Sequence, residues 1–241
     1  EAPELRLTYS ELASYLSCAH SYYLRTRLGF MPSLAPELGY GHAVHHVMRL
    51  VAEYTRRHGA PPSPVDLDAL MDAEFFLPYA NKPAHREMKQ RGKSLVASYI
   101  RDHADDLRRT WATERPFELH LPGVVISGRA DVIYDGSGDR PEQLTLVDYK
   151  TSAGDEVDPL QLQIYANAGR REGLPVTAAF VHDLQSTQRQ EISLASSDLH
   201  AVENTIIGAA SNLRSRAFDP DPVSAKCRRC DVRALCRAAV R

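Results

Sequence analysis

Asp131 is followed 17 residues later by Asp148-Tyr149-Lys150, and each acidic residue lies in a short apolar run of strand character. The first run covers residues 124–134 and the second residues 144–150. Side chains alternate faces along a strand, so Asp148 and Lys150 project together and Tyr149 points away. With Asp131 supplied by the neighbouring strand, two carboxylates and an ammonium share one sheet face. Such a group can hold a divalent metal and a water beside a phosphate. Taken alone, D-x-K more often marks a surface ion pair at a strand end, so its weight depends on what accompanies it.

Three other groups accompany it. His42, His45 and His46 fall within five residues of a helical stretch. His42 and His45 share a face at i,i+3, whereas His46 points about 100° further round. Neutral imidazole suits manganese better than magnesium. Gln161 and Tyr165 are i,i+4 on a later helix, where they form either a plain polar face or a group beside the acidic site. Cys18 stands near the start, and Cys227, Cys230 and Cys236 close the chain with C-x2-C-x5-C spacing. Four thiolates can bind zinc or an iron–sulfur cluster, and the spacing alone suits both. A single centre would staple together residues 209 apart.

The elements that must carry these residues change character midway. Thr8-Tyr9-Ser10-Glu11 is a capping-box pattern opening a helix through about residue 24. Residues 41–57 form a second helix with Val44, Val47, Met48, Val51 and Tyr54 at helical spacing. A short helix at 67–76 and a long one at 84–111 follow. Strands are expected at 117–121, 124–134 and 144–148, with a turn at Asp135-Gly136-Ser137-Gly138. A helix over 159–171 starts with Pro at its first turn. Strands at 176–182 and 190–194 and a helix at 197–216 complete the order. No GxxxxGK(S/T) loop is present, so the sequence carries no visible ATPase.

Composition sets the class. With 241 residues, 43% hydrophobic and 25% charged, the sequence reads as folded and soluble. No apolar run approaches the ~20 residues of a membrane helix and there is no secretory signal, so a cytoplasmic protein without membrane association is expected. Glu1 stands where a Met would, which reads as a processed end or a module of a longer polypeptide. Net charge is −2, yet residues 214–241 carry eight Lys or Arg against three Asp. That basic end can follow a phosphate backbone or simply be a solvated face.

In sequence order, Cys18, Gly41-x3-His45, Gly128-Arg129-Ala130-Asp131, Asp148-Tyr149-Lys150, Gln161-x3-Tyr165 and Cys227-x2-Cys230-x5-Cys236 resemble the PD-(D/E)XK nucleases of the RecB/AddB type. The closest resemblance is to the iron–sulfur branch at the end of UvrD-like and AddB-like helicases and in CRISPR adaptation nucleases. The family's usual Pro after the first Cys is Ala19 here, and its Ile or Leu after Gly-Arg is Ala130. The resemblance implies an α/β (α+β) fold of restriction-endonuclease type. In it a central mixed sheet is flanked by helices, the N-terminal half is helical, and an Fe–S staple joins the chain ends. It implies one nuclease domain over 1–241. Residues 1–115 would be mainly helical, 116–195 the catalytic sheet core, and 196–241 the last helix with the Cys cluster. His45, Asp131, Asp148 and the Tyr149 carbonyl would ligate Mg2+ or Mn2+. Lys150 would orient water or stabilise charge, and Gln161 and Tyr165 would be accessory, contacting DNA. Cys18, Cys227, Cys230 and Cys236 would hold a 4Fe-4S cluster, with zinc as the alternative.

The expected activity is metal-dependent hydrolysis of DNA, single-stranded or at duplex ends, by the nuclease module of a helicase–nuclease with a fused or associated motor. A stand-alone CRISPR adaptation nuclease is the alternative within the enzyme class. A non-catalytic DNA-binding scaffold of the same fold and a zinc-stapled interaction domain are the alternatives outside it. Retention of Asp131, Asp148 and Lys150 argues against a degenerate scaffold.

Overall fold

The computed structural model describes residues 3–31, 35–136, 143–151 and 157–240. Residues 137 and 138 of the expected turn after Asp135 lie outside them. The chain forms a mixed α/β fold and divides into two compact units.

The smaller unit comprises Glu1–Ser33, Glu118–Gly128 and Leu199–Arg241. Strand β1 (Leu5–Thr8) runs parallel to the start of β3 (Val124–Asp135), with Leu5 opposite Val124. Thr8 then caps α1 (Tyr9–Ser17): its hydroxyl accepts the Glu11 amide, and the Glu11 carboxylate accepts the Thr8 amide at 2.8 Å. This is the expected capping box. The helix expected to reach residue 24 instead breaks at Cys18, whose backbone is extended, and restarts as α2 (Ala19–Tyr22) and a π-helical turn (Tyr23–Arg27). Across the break, Tyr15, Tyr22 and Tyr23 all surround Phe218, at ring distances of 6.4, 6.4 and 4.9 Å. The unit closes with α8 (Ser196–Arg214, from Leu199 onward), α9 (Ser224–Arg228) and a 3-10 turn (Arg233–Leu235).

The larger unit comprises Leu34–Phe117 and Arg129–Asp198. Its helices are α3 (Tyr40–His58), α4 (Pro64–Glu74), α5 (Lys82–Asp102), α6 (Ala104–Arg108) and α7 (Leu160–Arg171). Strand β4 (Leu144–Lys150) is antiparallel to the end of β3 and parallel to β5 (Val176–Asp183), the two parallel strands being joined through α7. The three-residue β6 (Arg189–Glu191) pairs antiparallel with β5 at the rim. The core packs Val44, Val47, Met48 and Val51 of α3, with Met71 of α4 and Val96 and Tyr99 of α5, against Val132, Tyr134, Val147 and Tyr149 of the sheet. Leu162, Ile164 and Ala166 of α7 are fully buried as well, and α7 packs on β4 and β5. The sheet is mixed and flanked by helices.

The single long helix expected at 84–111 is two helices followed by a strand. Helix α5 ends at His103, and Thr110 Oγ1 closes α6 by donating to the Leu107 carbonyl at 2.7 Å. Strand β2 (Thr110–Leu121) therefore begins seven residues earlier than expected. Beside the break, Asp106 receives His103, Arg109 and Arg189. No helix among the described residues is long and apolar enough to cross a membrane.

Candidate active site

Asp131, Asp148, Lys150 and His45 come together in the larger unit. Strand alternation places Lys150 and Asp148 on one side, where Lys150 Nζ lies 2.7 Å from Asp148 Oδ2. Tyr149 points the other way into the core. Its amide N–H donates to Asp131 Oδ2 at 2.8 Å and so ties β3 to β4 at the site. His45 Nδ1 lies 3.3 Å from the same Asp131 oxygen. Its helix approaches closely because residue 41 is Gly: a Cβ there would stand 3.2 Å from Thr151 Oγ1, the residue after Lys150.

The electrostatics are those of crowded carboxylates. Asp148 is 3% exposed. Burial first, and then the Asp131 charge, push its carboxyl up to about 6, against the opposing pull of Lys150 and His45. Its Oδ2 makes the ion pair with Lys150 but no well-formed hydrogen bond. Burial works against a charged His45 ring, yet Asp131 and Asp148 outweigh it and its pKa is raised.

Gln161 and Tyr165 share a face of α7, as their spacing predicts. Lys150 Nζ donates to Gln161 Oε1 at 3.3 Å. Tyr165 bonds to Gln161 and to the Arg129 backbone, and its ring stacks on Phe117 at 5.9 Å. Burial chiefly pushes the Tyr165 hydroxyl up to about 12, so it remains a neutral donor.

Behind the strand lies a triangle of buried hydroxyls. Tyr149 meets Tyr134 at 2.7 Å and Tyr99 at 3.3 Å, and Tyr99 meets Tyr134 at 2.9 Å. Sequence reading turned the Tyr149 side chain away from the acidic face but gave it no partners, because nothing local ties residues 99, 134 and 149 together.

In front lies a cleft of about 630 Å³, lined by Gly41, His42, His45, His46, Arg49, Glu53, Glu114 and Arg129. Of the histidines, His46 is held by Glu74 at 3.0 Å and by Arg49, whereas His45 faces the acidic centre. Four lining residues were missed by the sequence reading as site residues. Arg129 was legible in principle, being two positions before Asp131 and hence on its side of β3. Arg49 and Glu53 continue the polar stripe of α3. Glu114 was not legible: it enters through a positive φ of 48° inside β2.

The donor set fits a hard or borderline divalent cation: one imidazole, two neighbouring carboxylates whose repulsion such a cation offsets, and a buried Asp148 oxygen without a well-formed hydrogen bond. Among the described residues no three His, Cys, Asp or Glu stand ready-spaced as a metal cage. In this arrangement Asp131 Oδ2 faces His45 and the Tyr149 amide, and Asp148 Oδ2 faces Lys150.

The expected Fe–S staple is likewise not shown. All four cysteines are free and half-exposed. Their segments do meet in the smaller unit: Lys226 Nζ donates to the Ser17 carbonyl at 3.1 Å, and Cys230 Sγ lies 3.8 Å from Ser21 Oγ. Residues adjoining Cys18 and Cys227 are thus in contact, without a closed thiolate set.

Comparison with known proteins gives the family and the fold. A family model described as the PD-(D/E)XK nuclease superfamily matches residues 6–237. A solved structure from Eubacterium rectale, described as a "Putative exonuclease", is similar at a TM-score of 0.56 with 16% identity, covering 97% of this chain and 89% of that one. A second, SSO0001, shares 16% identity over 92% of this chain and 96% of its own, at a TM-score of 0.38. No curated protein matches the chain.

Proposed function

Because the chain belongs to the PD-(D/E)XK nuclease superfamily, we propose that it is a metal-dependent nuclease that hydrolyses phosphodiester bonds of DNA. The observation that carries the reading is the buried Asp148 set against Asp131, with Lys150 Nζ 2.7 Å away. His45, Asp131, Asp148 and the Tyr149 carbonyl would hold Mg2+ or Mn2+. When bound, the ion supplies Lewis-acid neutralisation of the scissile phosphate. Lys150 Nζ, steadied by Gln161, orients the attacking water and stabilises negative charge on the phosphate in the transition state. Tyr165 and Gln161 form the wall beside it. The Tyr149 amide fixes the direction of the Asp131 carboxylate.

The finer reading rests on the motif order. It makes the chain the nuclease module of a RecB/AddB-type helicase–nuclease in DNA end processing, with a fused or associated motor. Cys18, Cys227, Cys230 and Cys236 would hold a 4Fe-4S centre, a reading supported by the meeting of their segments. Elemental analysis of anaerobically purified protein tests it. About four irons per chain, lost on Cys230→Ser, is expected, and zinc without iron overturns it.

The test of the main reading is digestion of labelled single-stranded and duplex DNA with Mg2+ or Mn2+. Asp148→Ala should lose activity on the order of 100-fold with an unchanged circular dichroism spectrum. Undiminished cleavage by that variant removes the assignment.

A further inference from the structure

Strand β4 carries Asp148 and Lys150, and the hairpin of β5 and β6 grips the end of that strand at two points. The first is the exit from the strand. The Leu184 amide donates to the Lys150 carbonyl at 2.9 Å, one step past the last paired residue of β5. Beyond it, Gln185 Nε2 donates to the Thr151 carbonyl. Thr151 is also the residue that faces Gly41, in the first turn of the helix that carries His45. Gln185 therefore holds the point where the Lys150 strand meets the His45 helix. Its side chain projects from a built turn. Asp183 Oδ1 accepts the Gln185 amide at 2.8 Å and the Ser186 amide at 3.3 Å, and Oδ2 accepts Ser186 Oγ at 2.8 Å. The Asp183 amide donates to the Gln188 carbonyl at 2.9 Å. These bonds to one aspartate give an exposed turn a fixed shape and the Gln185 side chain a fixed base.

The second point lies behind the strand. Arg189 of β6 sets Nη2 2.8 Å from Asp106 Oδ2 and donates from the same nitrogen to the Tyr99 hydroxyl at 3.3 Å. Tyr99 is one corner of the hydroxyl triangle, so the contact continues to Tyr149, whose amide orients Asp131. The bond from the guanidinium is charge-assisted and is the strong member of this set. Asp106 in turn anchors Arg189, being held by Arg109 and His103 as well. Hydrocarbon rings would fill this region with no buried hydroxyl to satisfy and no sheltered ion to desolvate. The polar chain is therefore not what stability alone would select.

We propose that Gln185 and Arg189 are positioning residues. From the turn and the outer strand of one hairpin they brace β4, so that Lys150 stays against Asp148 and the Tyr149 amide stays aimed at Asp131. The proposal rests on the nuclease reading above and adds two residues that act through β4 instead of on the phosphate. If they only held the fold together, the loss of an exposed Gln185 contact would leave turnover as it was. If they position the strand, turnover falls while stability and substrate binding hold.

The test compares the whole protein with Gln185→Met, which keeps the length of the side chain and removes its donor, and with Arg189→Met. Three quantities are read: kcat and KM on single-stranded DNA with Mn2+, the melting temperature, and hydrogen exchange over residues 147–151 by mass spectrometry. Gln185→Met should lower kcat about tenfold with KM and Tm unchanged. Both variants should speed exchange over 147–151 and leave that of α7 as it is. Wild-type kcat in Gln185→Met overturns the role of Gln185. Faster exchange throughout the unit in Arg189→Met, instead of in β4 alone, makes that residue structural and overturns its role. Gln185 is exposed, so its variant stays readable if Arg189→Met fails to fold. Absence of Mn2+-dependent cleavage by the wild type overturns the nuclease reading instead. Hydrogen exchange then decides the brace by itself, and unchanged exchange over 147–151 in both variants overturns it.

Discussion

The amide of Tyr149 donates to Asp131 Oδ2 at 2.8 Å, so one residue orients one acidic group through its backbone and carries Asp148 and Lys150 as its chain neighbours. Its hydroxyl is fixed on the other side by Tyr134 and Tyr99. Tyr149→Phe deletes that hydroxyl and leaves two buried ones short of a partner. The expected loss is about 1–3 kcal/mol of stability, read by urea unfolding, with kcat reduced as the strand loosens. Unchanged stability would mean that water replaces the missing hydroxyl.

Asp148 gives a metal-linked prediction. Its folded carboxyl titrates at about 6 against an ordinary 3.8, so the folded metal-free protein binds the extra proton between those values. The contribution of Asp148 to stability is fully present below the unfolded pKa and is lost as pH rises through about 6. Asp148→Asn removes this penalty and should raise the metal-free Tm at pH 8 by a few degrees. Mn2+ should raise the wild-type Tm and raise that of the variant much less. Differential scanning fluorimetry reads both, and a lowered Tm for metal-free Asp148→Asn contradicts the assignment.

His182 titrates with the opposite sign. Burial first, and then electrostatic interaction with His103 and Arg189, push its ring down to about 4 from 6.5. Between those values the unfolded chain holds the proton and the folded one does not, so stability falls as pH drops through that window and is unaffected above it. His182 Nδ1 is buried with no hydrogen-bond partner among the described residues, which makes an aromatic hydrocarbon a tolerable replacement. His182→Phe should flatten the difference in unfolding free energy between pH 7.5 and pH 5 relative to wild type. Parallel pH profiles in the two proteins would contradict this.

Gly41 sets the distance of the His45 helix from the end of β4. With only 3.2 Å from an added Cβ to Thr151 Oγ1, Gly41→Val forces α3 or residue 151 to shift. A misplacement of this kind should lower kcat on the order of 10- to 100-fold with little change in Tm, since the position lies at the first turn of the helix. Full activity in Gly41→Val would show that the contact does not govern the site.

Much of this was legible from local pattern. Alternation placed Asp148 with Lys150 and turned Tyr149 inward, and i,i+4 spacing joined Gln161 to Tyr165. The T-x-x-E box started α1 at the right residue. What failed were the interruptions. The helix through residue 24 breaks at the extended backbone of Cys18, and the 84–111 helix stops at His103 and gives way to a strand at Thr110, breaks that no periodicity announces. Arg129 was visible in its motif but not its place in the cleft wall beside Glu114. Glu114 depends on a left-handed backbone conformation that no periodicity announces.

Strand β6 is only Arg189-Gln190-Glu191, and Arg189 turns back to Asp106 and to the Tyr99 hydroxyl. This outer strand of the larger unit therefore offers another molecule a ledge of three residues, two of them charged. That is too short and too polar to seed sheet extension. The protein can be concentrated without edge-to-edge growth on that side, and lengthening β6 with apolar residues would create a self-association site there.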